Sequence, residues 1–259
     1  MFDINSIKMA NNFVLQNGVK ILVYGVAGSG KTRFATTARR PLLWAIENGC
    51  LSIKDDNIPV VSLPIKQEID RVLSAWDGRN APREDPFKCI NDFVDWVCNP
   101  LQSKDYDTLF VDSLSELSSL VFQYYDQINR NGQRAYGELA DRMLIWIKKL
   151  NYCQKDVVFI CKETQRNVGT DENPVYQIEP YFEGQKTKLE TLHLIDVILR
   201  FKKHTFVNAG KRETYDVAVS KGDGIFIARD RSNKLNEFEY QHFDNMRSKL
   251  LGLNNQQNV

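Results

Sequence analysis

Short apolar runs alternate with longer stretches of helical spacing through the first half of the chain. KILVYG (20–25), PLLWAIE (41–47), IPVVSL (58–63), DTLFVD (107–112) and DVVFIC (156–161) are almost continuously apolar, the mark of strands covered on both faces and so of a parallel sheet. Between them, residues 31–39, 65–76, 87–98, 113–129 and 137–151 carry helical patterns. Strand and helix in alternation predict βαβ units with right-handed crossovers. The helix after the fourth strand is the best marked, because Leu114, Leu117, Val121, Tyr124 and Ile128 recur on one face behind a Ser113-x-x-Glu116 capping box. From 196 to 229 the period changes to two: Val197, Leu199 and Phe201, then Tyr215, Val217 and Val219, alternate with polar residues, with NAGK and KGDG as turns before GIFIA. That pattern predicts antiparallel strands added to the parallel core. DGRNAPREDP (77–86) reads as a turn-rich connection and GLNNQQNV (252–259) as a frayed tail.

Composition narrows the class without naming it. With 42% hydrophobic and 26% charged residues among 259, the chain has material for a sizeable core. Its formal charge of +1 rules out bulk attraction to nucleic acid, so any such attraction must be local. Residues 200–234 hold nine Lys or Arg against four acids, a local +5, while 64–107 holds six against nine, a local −3. The five cysteines show no CxxC pairing and the three histidines no ligand spacing, which excludes a disulfide framework and a structural zinc site. No apolar run approaches a membrane span and the N-terminus lacks a secretory pattern, so a cytosolic setting is expected.

The chemistry concentrates at Gly25-Val26-Ala27-Gly28-Ser29-Gly30-Lys31-Thr32, a full match to GxxxxGK[ST]. Small residues let consecutive backbone N–H groups turn inward around phosphates, the lysine reaches the terminal phosphates, and the threonine hydroxyl binds Mg²⁺. Arg33 follows directly and is grouped with the nucleotide-binding positions. Chance produces this pattern in about one chain of this length in a hundred, and the preceding apolar strand lowers that further. Asp112, closing an apolar strand, suits the acidic partner of the metal; the plainer alternative is that it merely starts the next helix. Ser113 stands where many such ATPases carry the catalytic glutamate, so the water-orienting carboxylate must come from elsewhere. Glu47 at the end of the second strand is the first candidate and Glu116, explained by its capping position, the second.

The ordered set YGVAGSGKT, PLLWAIENG, YDTLFVDSLSEL, VVFICKE and IARDRS resembles RecA-like P-loop ATPases over about residues 19–235, and within them the AAA-family ATPases of bacteriophages, some of which are single-strand annealing recombinases. The resemblance implies a three-layer α/β fold, one RecA-like domain over 1–251 with its antiparallel extension at about 196–235, and MgATP as cofactor. It implies Glu47 as the water-activating carboxylate and Lys162 or Glu163 as the γ-phosphate sensor, where RecA has glutamine. Arg229 and Arg231, two apart on a strand, match basic residues that reach the ATP of a neighbouring subunit; a solvated edge is the alternative reading. Further implied are a homo-oligomer, single-stranded DNA as ligand, a single-stranded DNA-binding protein as possible partner, and the cytoplasm of a bacterial host. The segments matching the DNA loops are 127–138 and 164–177, with Arg130, Arg134, Tyr136 and Arg166 as contacts.

Overall fold

Strands whose side chains are apolar on both faces must be sandwiched, and the computed structural model, which describes residues 8–47, 49–129, 131–208 and 211–253, sandwiches them except IPVVSL, of which only Val60–Val61 pairs, as a partly exposed edge. Six parallel strands form the centre: β1 (Lys20–Gly25), β2 (Pro41–Ala45), β3 (Val60–Val61), β4 (Thr108–Asp112), β5 (Asp156–Asn167) and β7 (Val197–Asn208). The remainder pair antiparallel: β6 (Tyr176–Pro180) on β5, β8 (Lys211–Val219) and β9 (Arg229–Asp230) on β7, and β10 (Phe238–Tyr240) on β8. The main path across the sheet runs β10-β8-β7-β1-β5-β4-β2-β3. The mostly parallel sheet with an antiparallel extension is thus the one the sequence predicts, except that the run at 197–200, expected in the extension, pairs parallel with β1.

Alternate residues of β1 divide between two cores. Leu22 and Tyr24 face a layer containing α2 (Ile65–Ser74), α3 (Lys88–Cys98), α4 (Leu114–Ile128), α5 (Gly132–Tyr152) and α6 (Gln185–Leu194). Ile21 and Val23 face a thinner layer built from α7 (Phe243–Leu251) and two 3-10 turns. A further helix, α1 (Ala10–Asn17), buries none of its residues. Trp44 and Trp146 are fully buried packing residues. Among the described residues no helix is long and apolar enough to cross a membrane.

Local departures from the sequence reading have local causes. The helix expected over 31–39 is a 3-10 turn, Thr32–Thr37. Two β-branched residues close it with hydroxyls bonded to the carbonyls three residues back, Thr36 to Arg33 at 2.9 Å and Thr37 to Phe34 at 2.7 Å, and Pro41 soon follows. Six residues of 3-10 turn therefore follow the phosphate loop in place of a longer α-helix. α5 starts at Gly132, not 137, because the Asn131 side chain accepts from the Gln133 N–H at 2.9 Å. GIFIA forms an isolated bridge at Phe226 where a strand was expected.

In place of a long helix, the turn is held by aromatic packing. Phe34 lies edge-on to Phe110, Phe201 and Phe243, with centroids 6.1, 5.1 and 5.7 Å away. The Phe243 N–H donates to Thr37 Oγ1 at 2.7 Å, so the start of α7 clasps the turn from outside. Phe34→Ala is expected to cost about 3–5 kcal/mol of stability, read by denaturant unfolding. Nucleotide affinity should fall with it; full stability in this variant would contradict the clasp.

Candidate functional site

Gly25 ends β1, and the loop that follows turns over the carboxyl edge of the sheet. Gly28 and Gly30 have φ of +77° and +90°, which side chains rarely adopt. A Cβ on Gly25 would meet the Phe201 carbonyl oxygen at 2.3 Å, so the first glycine is needed where β1 passes β7. Lys31 Nζ donates to the carbonyls of Gly25 and Val26, both at 2.8 Å. Burial lowers the pKa of this lysine, against the raising charges of Asp112 and Glu47. Val26, Ala27 and Gly28 face solvent, Ser29 is buried, and Arg33 is exposed on the 3-10 turn.

The loop meets β4 across an intervening strand. β5 separates β1 from β4, a span of ~10 Å, and Thr32 Oγ1 bridges it by donating to Asp112 Oδ2 at 2.6 Å. Asp112 does not cap α4; Ser113 does, accepting from the Glu116 N–H at 3.1 Å. A hydroxyl and a carboxylate side by side are hard oxygen donors of the kind magnesium takes alongside phosphate oxygens and water. The donor set and the glycine cradle therefore fit MgATP: loop amides and Lys31 for phosphates, Thr32 and Asp112 for the metal.

Glu47 reaches the same crevice. Ile46 and Glu47 donate their N–H groups to the Asp112 carbonyl at 2.7 and 3.3 Å, which pins the end of β2 beside β4. Glu47 Oε1 accepts from Ser113 Oγ at 2.5 Å and lies 3.2 Å from Lys162 Nζ. Lys162 also pairs with Glu116 Oε2 at 3.0 Å, so Glu116 leaves the reciprocal half of the capping box and joins the site. Burial opposes the charge on Lys162, but its bonds to Glu116 and Glu47 outweigh that and raise its pKa. Glu163 points elsewhere, held by Arg200 at 2.9 and 3.2 Å.

Other expected residues are not brought here. Through Ile198, Arg229 lies level with Leu22, three residues and about 10 Å before the loop. Its Nη2 donates to the carbonyls of Leu192 and Ile195 at 2.5 and 2.6 Å, the last turn of α6. Arg231 pairs with Asp196 at 2.8 Å and donates to the His193 carbonyl at 3.1 Å. Within one chain these arginines cap a helix and do not touch the phosphate loop. Of the expected DNA contacts, Arg130 lies outside the described residues, Arg134 pairs with Glu138 at 2.9 Å, and Tyr136 stacks on Phe122 at 4.5 Å. Arg166 is bound to buried Glu179 at 3.2 Å, in a hairpin of β5 and β6.

Gln241 is the neighbour that sequence reading missed. Its Nε2 donates to the Val217 carbonyl at 3.2 Å, and its Oε1 lies 2.2 Å from where a Gly30 Cβ would stand. No motif marks it, since it comes from the far end of the chain.

Burial, reinforced by the charge of Glu47, holds the Asp112 carboxyl above its ordinary 3.8, against the Thr32 hydrogen bond and the charges of Lys31 and Lys162. An acid with a raised pKa takes up its proton earlier as pH falls. Mg²⁺-dependent nucleotide binding should therefore fade at a higher pH than an ordinary aspartate dictates. In Glu47→Gln the acid limb should move to lower pH, read by titrating a fluorescent ATP analogue; an unmoved limb would contradict the coupling.

A family model described as "AAA domain" matches residues 17–232. None of the curated proteins matches the chain. Among solved structures, a KaiC-like protein from the hyperthermophilic archaeon Pyrococcus horikoshii OT3 is similar at 10% identity and a TM-score of 0.36, covering 78% of this chain and 79% of that one. The fold assignment stands on the sheet order and not on that likeness. With the family match spanning most of the sequence and the phosphate loop meeting an acidic partner across the sheet, the chain belongs to the AAA-domain family of P-loop ATPases.

Proposed function

We propose that the chain is a magnesium-dependent ATPase of the RecA-like type that acts on single-stranded DNA, in phage recombination or annealing. The observation that carries the enzymatic half is the convergence of Thr32, Asp112 and Glu47 on one loop. The DNA half is supported by the resemblance of the ordered motifs and by the local +5 of residues 200–234.

Bound magnesium would supply charge neutralisation at the terminal phosphates. Thr32 and Asp112 would hold that ion, and Lys31 would move its ammonium from the Gly25 and Val26 carbonyls to phosphate oxygens. Glu47 would orient the attacking water, with Ser113 fixing one of its oxygens. Lys162, shared between Glu47 and Glu116, is the sensor in this reading in preference to Glu163, which is engaged by Arg200. A γ-phosphate within its reach would compete with Glu47 for the ammonium and leave that carboxylate to water. In a homo-oligomer with ATP sites between subunits, Arg231, 44% exposed, is the better placed of the two arginines to act in trans. A single-stranded DNA-binding protein as partner and a bacterial host cytoplasm belong to the same reading.

The test is ATP hydrolysis with and without single-stranded DNA across a salt series. Lys31→Ala is expected to abolish hydrolysis. Glu47→Gln should keep nucleotide binding and lose roughly 10²–10⁴ in turnover, with Glu116→Gln much milder. DNA binding should weaken linearly on log-log salt axes. Unchanged hydrolysis in Lys31→Ala would end the ATPase reading; binding without turnover would mean a nucleotide-gated module, and phosphate transfer to a nucleoside a small-molecule phosphotransferase.

A further inference from the structure

Beyond residue 201, β7 and β8 rise as a hairpin past the end of β1, whose last partner on β7 is Arg200. Successive residues of a strand point to opposite faces, so the pairings His204 with Tyr215 and Tyr240 with Val217 put one set of side chains on one side. That side carries Lys202, His204 and Phe206 from β7, Tyr215 and Val217 from β8, and Phe238 and Tyr240 from β10. The rings form a continuous series. His204 stacks on Phe238 at 4.4 Å, Phe206 lies 5.8 Å from Phe238 and 6.0 Å from Tyr215, and Tyr215 lies 6.4 Å from Tyr240. Phe206, Tyr215, Phe238 and Tyr240 line a cleft of about 500 Å³, and Phe206, Tyr215 and Tyr240 are 39%, 39% and 72% exposed.

Apolar rings held open on a sheet face call for an occupant, and the surrounding charge indicates which. Of the hairpin's cations, Lys203 and Arg212 lie on its other face, Arg200 is held by Glu163 and Lys211 by Glu213, which leaves Lys202 as the cation among the rings. Lys202 Nζ sits over the rings themselves, 5.5 Å from the centre of Phe226 and 5.9 Å from that of Phe238. Of the acids around the cleft, exposed Glu213 is bonded by the Tyr215 hydroxyl at 2.6 Å and by Lys211 at 2.9 Å, buried Glu239 is bonded by Lys249 at 2.7 Å, and Glu237 is exposed. An apolar protein surface has no use for a cation set among the rings, whereas a strand of bases on a phosphate spine uses both the rings and Lys202.

We propose that this aromatic face of β7, β8 and β10 is a stacking platform for the bases of single-stranded DNA. It deepens the DNA half of the proposed function, on which it rests, and puts the contact on a different surface from the two loop segments that the sequence suggested. The platform adjoins the nucleotide site at two points. Tyr240 precedes Gln241, which lies against Gly30, and Arg200 under the platform holds Glu163, the residue after Lys162.

The test is fluorescence anisotropy with a labelled oligodeoxythymidine of about 20 nucleotides, long enough for one site, on the full chain. Phe206→Ala and Tyr215→Ala are each expected to weaken binding roughly tenfold or more, with ATP affinity unchanged. Phe206→Trp should bind like wild type and have its fluorescence quenched by the oligonucleotide, a signal that a merely structural ring would not give. An abasic oligonucleotide of the same length should bind weakly and ignore both alanine variants. Wild-type binding that the alanine variants retain would overturn the platform and leave the DNA reading standing. Equal binding of the abasic strand would do the same. Loss of ATP affinity with DNA binding intact would give the cleft to the nucleotide's own base, and no binding at low salt would remove platform and DNA reading together.

Discussion

A hydroxyl on one side of β5 and a carboxylate on the other hold the site together: Thr32 Oγ1 meets Asp112 Oδ2 at 2.6 Å across the strand between β1 and β4. Everything else in the crevice is placed relative to that bond. The loop must leave β1 at the height where Thr32 can reach over, which the positive φ angles at Gly28 and Gly30 permit. β4 must end at Asp112, and β2 must end level with it, which the two amide bonds to the Asp112 carbonyl ensure. Because the carboxylate is largely withdrawn from water beside a second acid, its proton affinity rises, and a nearby cation relieves that cost.

The packing beneath the loop shows how a short turn replaces a long helix. Phe34 is clamped among Phe110, Phe201 and Phe243, and α7 returns from the far end of the chain to close the turn. Gln241, just before α7, lies against Gly30. The phosphate loop is therefore steadied by residues more than 200 positions away in sequence, whereas a continuous helix would steady it locally.

Much of this was legible in the sequence, for physical reasons that also mark where reading fails. β1, β2, β4 and the first half of β5 announced themselves because burial on both faces leaves no polar position to blur the pattern. Asp112 and Glu47 could be named because each sits at or just past a strand end, where position in the chain fixes position in space, and Lys31 and Thr32 because the glycine spacing marks their loop. Arg229 and Arg231 could be named but not placed, because a strand pair says nothing of which edge of the sheet it lies on; register with β7 puts them by the last turn of α6. The turn at 32–37 read as a helix because its apolar spacing fits one, while the threonine hydroxyls that close it early leave no periodic trace. Glu116 passed as a cap because its lysine partner is 46 residues away. Gln241 and the aromatic face depend on antiparallel register at the end of the chain, which short alternating runs do not specify.

The central claim is that Thr32 and Asp112 form one metal-holding unit under the phosphate loop. The direct measurement is calorimetric titration of ATP with Mg²⁺ and with chelator, for wild type, Thr32→Val, Asp112→Asn and the double variant. The account predicts that wild type binds ATP much more tightly with the metal, that each single change removes most of that advantage, and that the double variant loses little more. Metal dependence retained in both single variants, or losses that simply add, would contradict it.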